Sequence, residues 1–522
     1  MFKRKEDVFN PRLIISLIFF LIGLMMITGV AIAEIVAKIE NEEYTSLDAA
    51  FTAVTSSGGT LSVLQDTTLI ENVNVTNNVI VEGNNKIISI GSDTNINISN
   101  GGSLTFNNLI IDGGTTQIQG YKSTMITVHS ATLNLNNSII RNRNVEGLST
   151  FPNIIGIGGN GTLRMTDSTI KNCRVADGSG GGISAVAIDY SGGNFIMYGG
   201  EISECGSSNG DNSVGGAFSA VPLNYYAENA MGNIEIHNAK FDHNSAGYGG
   251  GIYALLLYAE SPSLLLDNVT FSNNQSIKDG GAIVIAGVNG TISKCSFNNN
   301  IGRYGGAIYE EETSLSLSDN IVLHNNAEYG GGLFKNSPSM TLTGINIICN
   351  NTASSGGADI FNDNGTLDLS SASAMRQTFQ STSFVIDGWY SDASPRWSES
   401  RDTYLGDSYS VTGRKGLIAA YTPYDEIEVV KIWNDGNNLL KKRPESLTIT
   451  LTDAYGNPIS LRAYDGHTWT ASGEDAKVIL TATNADSSDP NKWVGSIGPL
   501  MIAEYSDAAT YKLQEDVGGV IL

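Results

Sequence analysis

From Thr60 to about residue 365 the chain alternates apolar and polar residues in short runs, as in TLSVLQDTTLIENVNV, SLTFNNLIIDGG, GTLRMTDSTIKN and SLSLSDNIVLHNN. A period of two predicts strands rather than helices, whose apolar residues recur every three or four positions. The exception is residues 47–54, LDAAFTAV, which follow Thr45 and Ser46 and read as a short helix with an N-cap. The apolar segment LIISLIFFLIGLMMITGVAIA near the N-terminus is different again: it is uncharged and follows Lys3, Arg4 and Lys5. It reads as an export signal, residues 1–33, with cleavage favoured after Ala33 because Ala31-Ile32-Ala33 is a small-x-small site. Its length also allows an uncleaved anchor.

The strand runs belong to a repeat. Its units start at Ile170, Ile202, Phe241, Phe271, Phe297, Val322 and Ile345; each has an apolar residue, then Asn or Cys, then Gly-Gly or Gly-Gly-Ala followed by an apolar residue. The Asn/Cys positions, 173, 205, 244, 274, 300, 325 and 350, are separated by 32, 39, 30, 26, 25 and 25 residues. A nearly constant step with insertions predicts a coil carrying grafted loops. Three short strands per step fit one turn of a parallel β-helix, taken as right-handed like most such solenoids. About twelve turns, rising about 4.8 Å each, would make a rod about 60 Å long.

In such a coil Gly-Gly supplies positive φ at a bend. Asn tolerates the left-handed conformation at another bend, and its amides can bond from coil to coil. Phe241, Phe271 and Phe297, with Ile252, Ile283 and Ile308, are expected to stack inward, and Asn244, Asn274, Asn300, Asn325 and Asn350 to form the ladder. These are scaffold residues. The helix at 47–54 is expected to cover the first coil.

The chain has 522 residues, 59 Gly and a net charge of −23, and only 16% of its residues are charged. That charge repels phosphate backbones, so no nucleic-acid partner is expected. The four cysteines, Cys173, Cys205, Cys295 and Cys349, are too dispersed for a disulfide scaffold or a Cys-x-x-Cys metal site. Cys173 and Cys205 share a repeat position and so could pair across neighbouring turns. Glu310-Glu311-Glu312 reads as a solvated turn, and His237, His243 and His324 lack metal-ligand spacing. No catalytic, cofactor or metal residues are expected, and none of the carboxylates groups visibly into an acid/base site.

The Phe-x-x-Asn and Gly-Gly-Ala-Ile elements resemble the polymorphic outer-membrane-protein repeat of bacterial and archaeal adhesin-like surface proteins, over roughly residues 170–361. Here Cys stands for Asn in the first two units, and Val322 and Ile347 stand for Phe. The resemblance implies a pectin-lyase-like solenoid and display at the cell surface. From residue 427 the motifs Val429-x-Lys431-x-Trp433-x-Asp435, Arg443-Pro444-Glu445-Ser446 and Tyr511-x-Leu513-x-Glu515 look like the collagen-adhesin B-type (Cna-B) repeat of Gram-positive surface proteins, a small β-sandwich stalk unit. That resemblance implies an isopeptide crosslink, with Lys431 as nucleophile and Glu515 as proton shuttle. The Asn acceptor strand that normally follows is missing after DVGGVIL, and Lys431 as an ordinary strand residue is the simpler reading.

The expected organisation is therefore all-β: signal peptide 1–33, parallel β-helix with helical cap 34–365, β-rich cap or connector 366–424, and an incomplete Cna-B-like sandwich 425–522. Trp389 and Trp397 are expected to pack within the connector. The function these features imply is a secreted, cell-surface, non-catalytic adhesin without cofactors, whose partner is a surface glycan or matrix protein, with cell-wall association. The alternative is a polysaccharide-active β-helix enzyme, a lyase or glycoside hydrolase, with carboxylates brought together from distant coils.

Overall fold

The computed structural model describes residues 34–516 apart from 115–117, 120–123, 147–152, 177–183, 189–191, 207–211, 222–231, 256–262, 288, 345, 370–376, 380–381, 393–402, 407–409, 439–441, 453–455, 465–468 and 502–511. The N-terminal export segment and Trp397 lie outside these residues, as does the side chain of Trp389.

The chain begins with a cap. Ala37–Ile39 pairs antiparallel with Glu42–Tyr44 and with Gly59–Val63, and the helix Leu47–Ser57 lies over the first coil. Ser46 caps the helix by accepting from the Ala49 amide, and Gly58 at φ 75° ends it. Its apolar face, Leu47, Ala50, Phe51 and Val54, is buried against the solenoid core at the spacing of a helical stripe. The coil end, which would otherwise expose strand edges, is thereby closed.

Above the cap the chain winds as a parallel β-helix. One face is an eleven-stranded parallel sheet running from Thr67–Leu69 through Lys240–Asp242 to Ile347–Cys349. The strands of the other two faces belong to a second sheet. The described strands stack coil on coil largely in register, with shifts at the last coil between Ala327 and Tyr329 and between Lys335 and Ser339, so like mostly lies on like. Phe241 pairs with Phe271 and Phe271 with Phe297, with ring centroids 5.0 Å apart in both cases. Ile252, Ile283 and Ile308 form a parallel column on another face, all fully buried. The alternation seen in the sequence is the in–out alternation of these strands.

The two bends use their residues differently from the expectation. At the Asn bend the left-handed conformation falls on the residue before the ladder position: Asn172, Glu204, His243, Asn273, Asn299, His324 and Asn350 have φ between 52° and 57°. The ladder residue itself points inward. Asn350 was expected in the ladder and is instead the left-handed residue. The ladder asparagine of that coil is Asn351, because Ile348, not Ile347, stacks on Val322. At the Gly bend the two glycines divide the work. Gly249, Gly280, Gly305 and Gly330 have φ of 59–67°. The next glycine is needed for closeness: a Cβ on Gly306 would lie 2.1 Å from the Gly331 carbonyl oxygen of the following coil.

The other end of the solenoid is closed by an antiparallel switch. Ile360–Asp368 stacks on Leu333–Thr343 as the last parallel strand and is then covered antiparallel by Lys415–Ile432, with Ile360 opposite Leu417. That 18-residue strand runs unbroken past 424/425, where a boundary was expected, and on to pair with Lys492–Met501. There it forms a small β-sandwich with the three-stranded sheet of Lys477–Thr481, Ser446–Thr452 and Lys512–Asp516. Its separate core holds Val429, Leu447, Ile449, Leu451, Leu480, Trp493 and Ile497.

Candidate functional site

The buried asparagine ladder sets the register of everything outside it. Asn274 shows the pattern. Its backbone N–H and its Nδ2 both donate to Asn300 Oδ1, at 3.0 Å each, and Nδ2 also donates to the Phe241 carbonyl at 2.9 Å. Asn244, Asn300 and Asn325 repeat this and are fully buried. Asp359 terminates the ladder: Oδ1 accepts from the Asn351 backbone and side-chain amides, and Oδ2 from the Ala419 N–H of the covering strand. Sequence reasoning missed a second ladder at another corner, in which the Cys295 amide donates to Asn320 Oδ1 and the Asn320 amide to Asn346 Oδ1. All of this bonding is internal, so these asparagines are scaffold.

The surface chemistry lies at the Gly-Gly bend. The residue before the Gly pair is Tyr248, Asp279, Tyr304 or Tyr329, and beyond the pair come Tyr253 and Tyr309, which are half-buried, and Val284, Phe334 and Phe361, which are buried. Register turns these positions into two columns flanking the bend. Tyr304 stacks on Tyr329 at 5.7 Å, Tyr309 on Phe334 at 5.3 Å, and Phe334 on Phe361 at 5.3 Å. The columns meet edge to face, Tyr304 with Phe334 at 5.2 Å and Tyr248 with Tyr253 at 6.1 Å. The five tyrosines are half-buried, so each keeps part of its ring in solvent.

Asp279 interrupts the first column. Among the described residues its carboxylate makes no hydrogen bond, and burial, with repulsion from Glu311, pushes its pKa up to about 6. The nearby cations pull the other way but are engaged elsewhere. Lys278 donates to the Tyr248 hydroxyl at 3.1 Å and lies 4.7 Å from the centre of its ring, and Arg303 pairs with Glu328 at 2.9 Å. Burial pushes the Tyr253 hydroxyl up to about 12 and raises Tyr309 as well, with Glu311 adding to both. Glu311 accepts from Asn336 Nδ2 at 3.2 Å. A half-buried, acceptor-only carboxylate without donors, framed by tyrosines, is the chemistry expected of a ligand site.

The acidic run is not a solvated turn. Ile308–Glu311 is one strand, so Glu310 points inward as Ile308 does and Glu311 outward as Tyr309 does, and only Glu312 is exposed at a positive φ. Glu310 accepts from Thr313 Oγ1 and the Asn336 amide, and burial raises its pKa. The next coil places Lys335 opposite it. Lys335 is fully buried, its Nζ donates to the Ser337 and Asn364 carbonyls at 2.6 Å, and burial lowers its pKa. Period-two counting from Ile308 finds Glu310, and the same count from Leu333 finds Lys335.

Lys431 and Glu515 are brought together. Lys431 Nζ stands 2.7 Å from Glu515 Oε2 and 3.0 Å from Oε1, and 5.2 Å from the centre of the Trp433 ring. Their side chains are 25% and 29% exposed. Among the histidines, His243 and His324 occupy the left-handed position, and His237 lies against Tyr198 with Glu235 and Asp267 on either side. No group of metal-ligating side chains occurs among the described residues.

No family model matches the chain, so the two resemblances stand on the residues alone, and no curated protein matches it. Among solved structures it is similar to ORF18 of Geobacillus virus E2, with 11% identity over 90% of each chain and a TM-score of 0.26. It is also similar to the Dettilon tailspike protein gp208, with 12% identity over 92% of this chain and 88% of that one and a TM-score of 0.22. Superpositions this loose lend no property to the present chain, and the parallel β-helix rests on its own strand registers.

Proposed function

We propose that this chain is an adhesin-like surface protein that holds a glycan against the Gly-Gly bend of its solenoid. One observation carries the reading: half-buried tyrosine columns surround Asp279, whose carboxylate finds no donor among the described residues. Sugar C–H faces suit the exposed ring surface, and sugar hydroxyls supply donors for Asp279 and Glu311. Net charge and these two carboxylates disfavour uronate-rich polymers, so neutral glycans fit better. The apolar N-terminal segment supports export, and the sandwich around Val429 and Trp493 supports a stalk of the Cna-B kind.

A second reading is favoured by the same carboxylate. With a pKa near 6, Asp279 carries a usable proton near neutrality, and Glu311 is its electrostatic neighbour, as hydrolysis by an acid/base pair requires. A panel of neutral and acidic polysaccharides assayed for retention and for released sugar separates the two. Retention without release, abolished in Tyr309→Ala, supports binding; release abolished in Asp279→Asn supports hydrolysis. Neither retention nor release on any glycan overturns both.

A further inference from the structure

We infer that Cys173 and Cys205 form a disulfide that staples two adjacent coils of the solenoid. The strand registers carry the inference. Ile170 pairs with Ile202 and Lys171 with Ser203, and beyond the bend Arg174 bridges Gly206. Cys173 and Cys205 therefore stand one above the other at a separation set by the coil rise, about 4.8 Å, which lies within the Cα spacing that disulfides span. Both are buried and are free thiols in this structure. Cys295 sits at the second ladder corner, and Cys349 is in register with Leu323.

The position also explains why a covalent link belongs here. From Asn244 onward the coils are joined by the asparagine ladder, whose first Oδ1 accepts from the Cys205 amide. One coil earlier the ladder position is held by Cys173 and Cys205, and no asparagine is present. A sulfur–sulfur bond would join the coils that the ladder does not reach. The redox balance is simple. The Cys173 thiolate attacks a small-molecule disulfide such as oxidised glutathione, releasing one glutathione thiolate. The Cys205 thiolate then attacks the mixed disulfide at the Cys173 sulfur and releases the second. Two protein thiols are oxidised, one glutathione disulfide is reduced, and two protons pass to solvent. Burial of the folded thiols places the reaction before or during coil closure, and an oxidising compartment outside the cell would sustain the bond.

The test is to refold the full chain in a glutathione redox buffer, alkylate it in denaturant and digest it. The inference expects two alkylated cysteines per chain, Cys295 and Cys349, and a peptide pair joined through Cys173 and Cys205. It also expects the oxidised protein to lose several degrees of apparent Tm on reduction, a loss absent in Cys173→Ser, which folds with serine in the same stack. Four alkylated cysteines, or a bridge to Cys295 or Cys349, would overturn it.

Discussion

At the scale of single residues, the ladder asparagines use nearly all their hydrogen-bonding capacity inside the solenoid. Asn300 accepts from the Asn274 amide and Nδ2, and donates to the Phe271 carbonyl and Asn325 Oδ1. Asn300→Ala strands several buried groups at once and should cost about 3 kcal/mol or more in denaturant unfolding. The corrected register makes a sharper comparison. Asn351→Ala should be similarly damaging, whereas Asn350→Gly, at φ 54°, should change stability by less than about 0.5 kcal/mol. Equal effects at the two positions would refute the register. Asp279 gives a pH signature. Its folded pKa of about 6 lies above the ordinary 3.8, so folding penalises the charged form, and its contribution to stability is lost as pH rises through that window. Asp279→Asn should remove this decline and be more stable than the parent at pH 7 by on the order of 1–2 kcal/mol once solvent screening is allowed for. A pH series of melts measures it.

At the scale of elements, much was legible because the period of two encodes both strand and face. Alternation around Phe241, Phe271 and Phe297 was enough to place them in the core, and Ser46 with the LDAAFTAV stripe was enough for the capping helix. The misplacement at Asn350 has a plain cause: CysAsnAsn offers two asparagines to one ladder site, and only the stacking of Ile348 on Val322 decides between them. The acidic run was misread because charge was weighed above periodicity, although Glu310 sits at an inward position. The tyrosine columns were hidden for a different reason. Residues about 25 apart become neighbours only once coils stack, so Tyr304, Tyr309 and Tyr329 look unrelated along the chain. Coil contact at the Gly bend is tight enough to test. Gly306→Ala drives a Cβ into the Gly331 carbonyl and should cost about 3 kcal/mol or more, while Gly413→Ala, where the same atom meets open space, pays only for its positive φ and should cost less.

At the scale of the whole molecule, the eleven-stranded face rises about 50 Å at the coil spacing, closed by a helix and hairpin at one end and by an antiparallel strand at the other. The closing strand continues into the sandwich, so the solenoid and the sandwich share a backbone element. Along this rod the asparagine ladders face inward, while Tyr248, Tyr253, Asp279, Tyr304, Tyr309 and Tyr329 keep part of their side chains at the surface, a division between scaffold and surface in the repeats that begin at Phe241, Phe271, Phe297 and Val322. That outward stripe is the surface proposed to hold the glycan. The most direct measurement is equilibrium binding of neutral oligosaccharides to the full chain beside Tyr304→Ala and Tyr309→Ala, with melts showing that both variants remain folded. Saturable binding by the parent, weakened about tenfold or more in both variants, is the predicted result; binding unchanged by either substitution would contradict it.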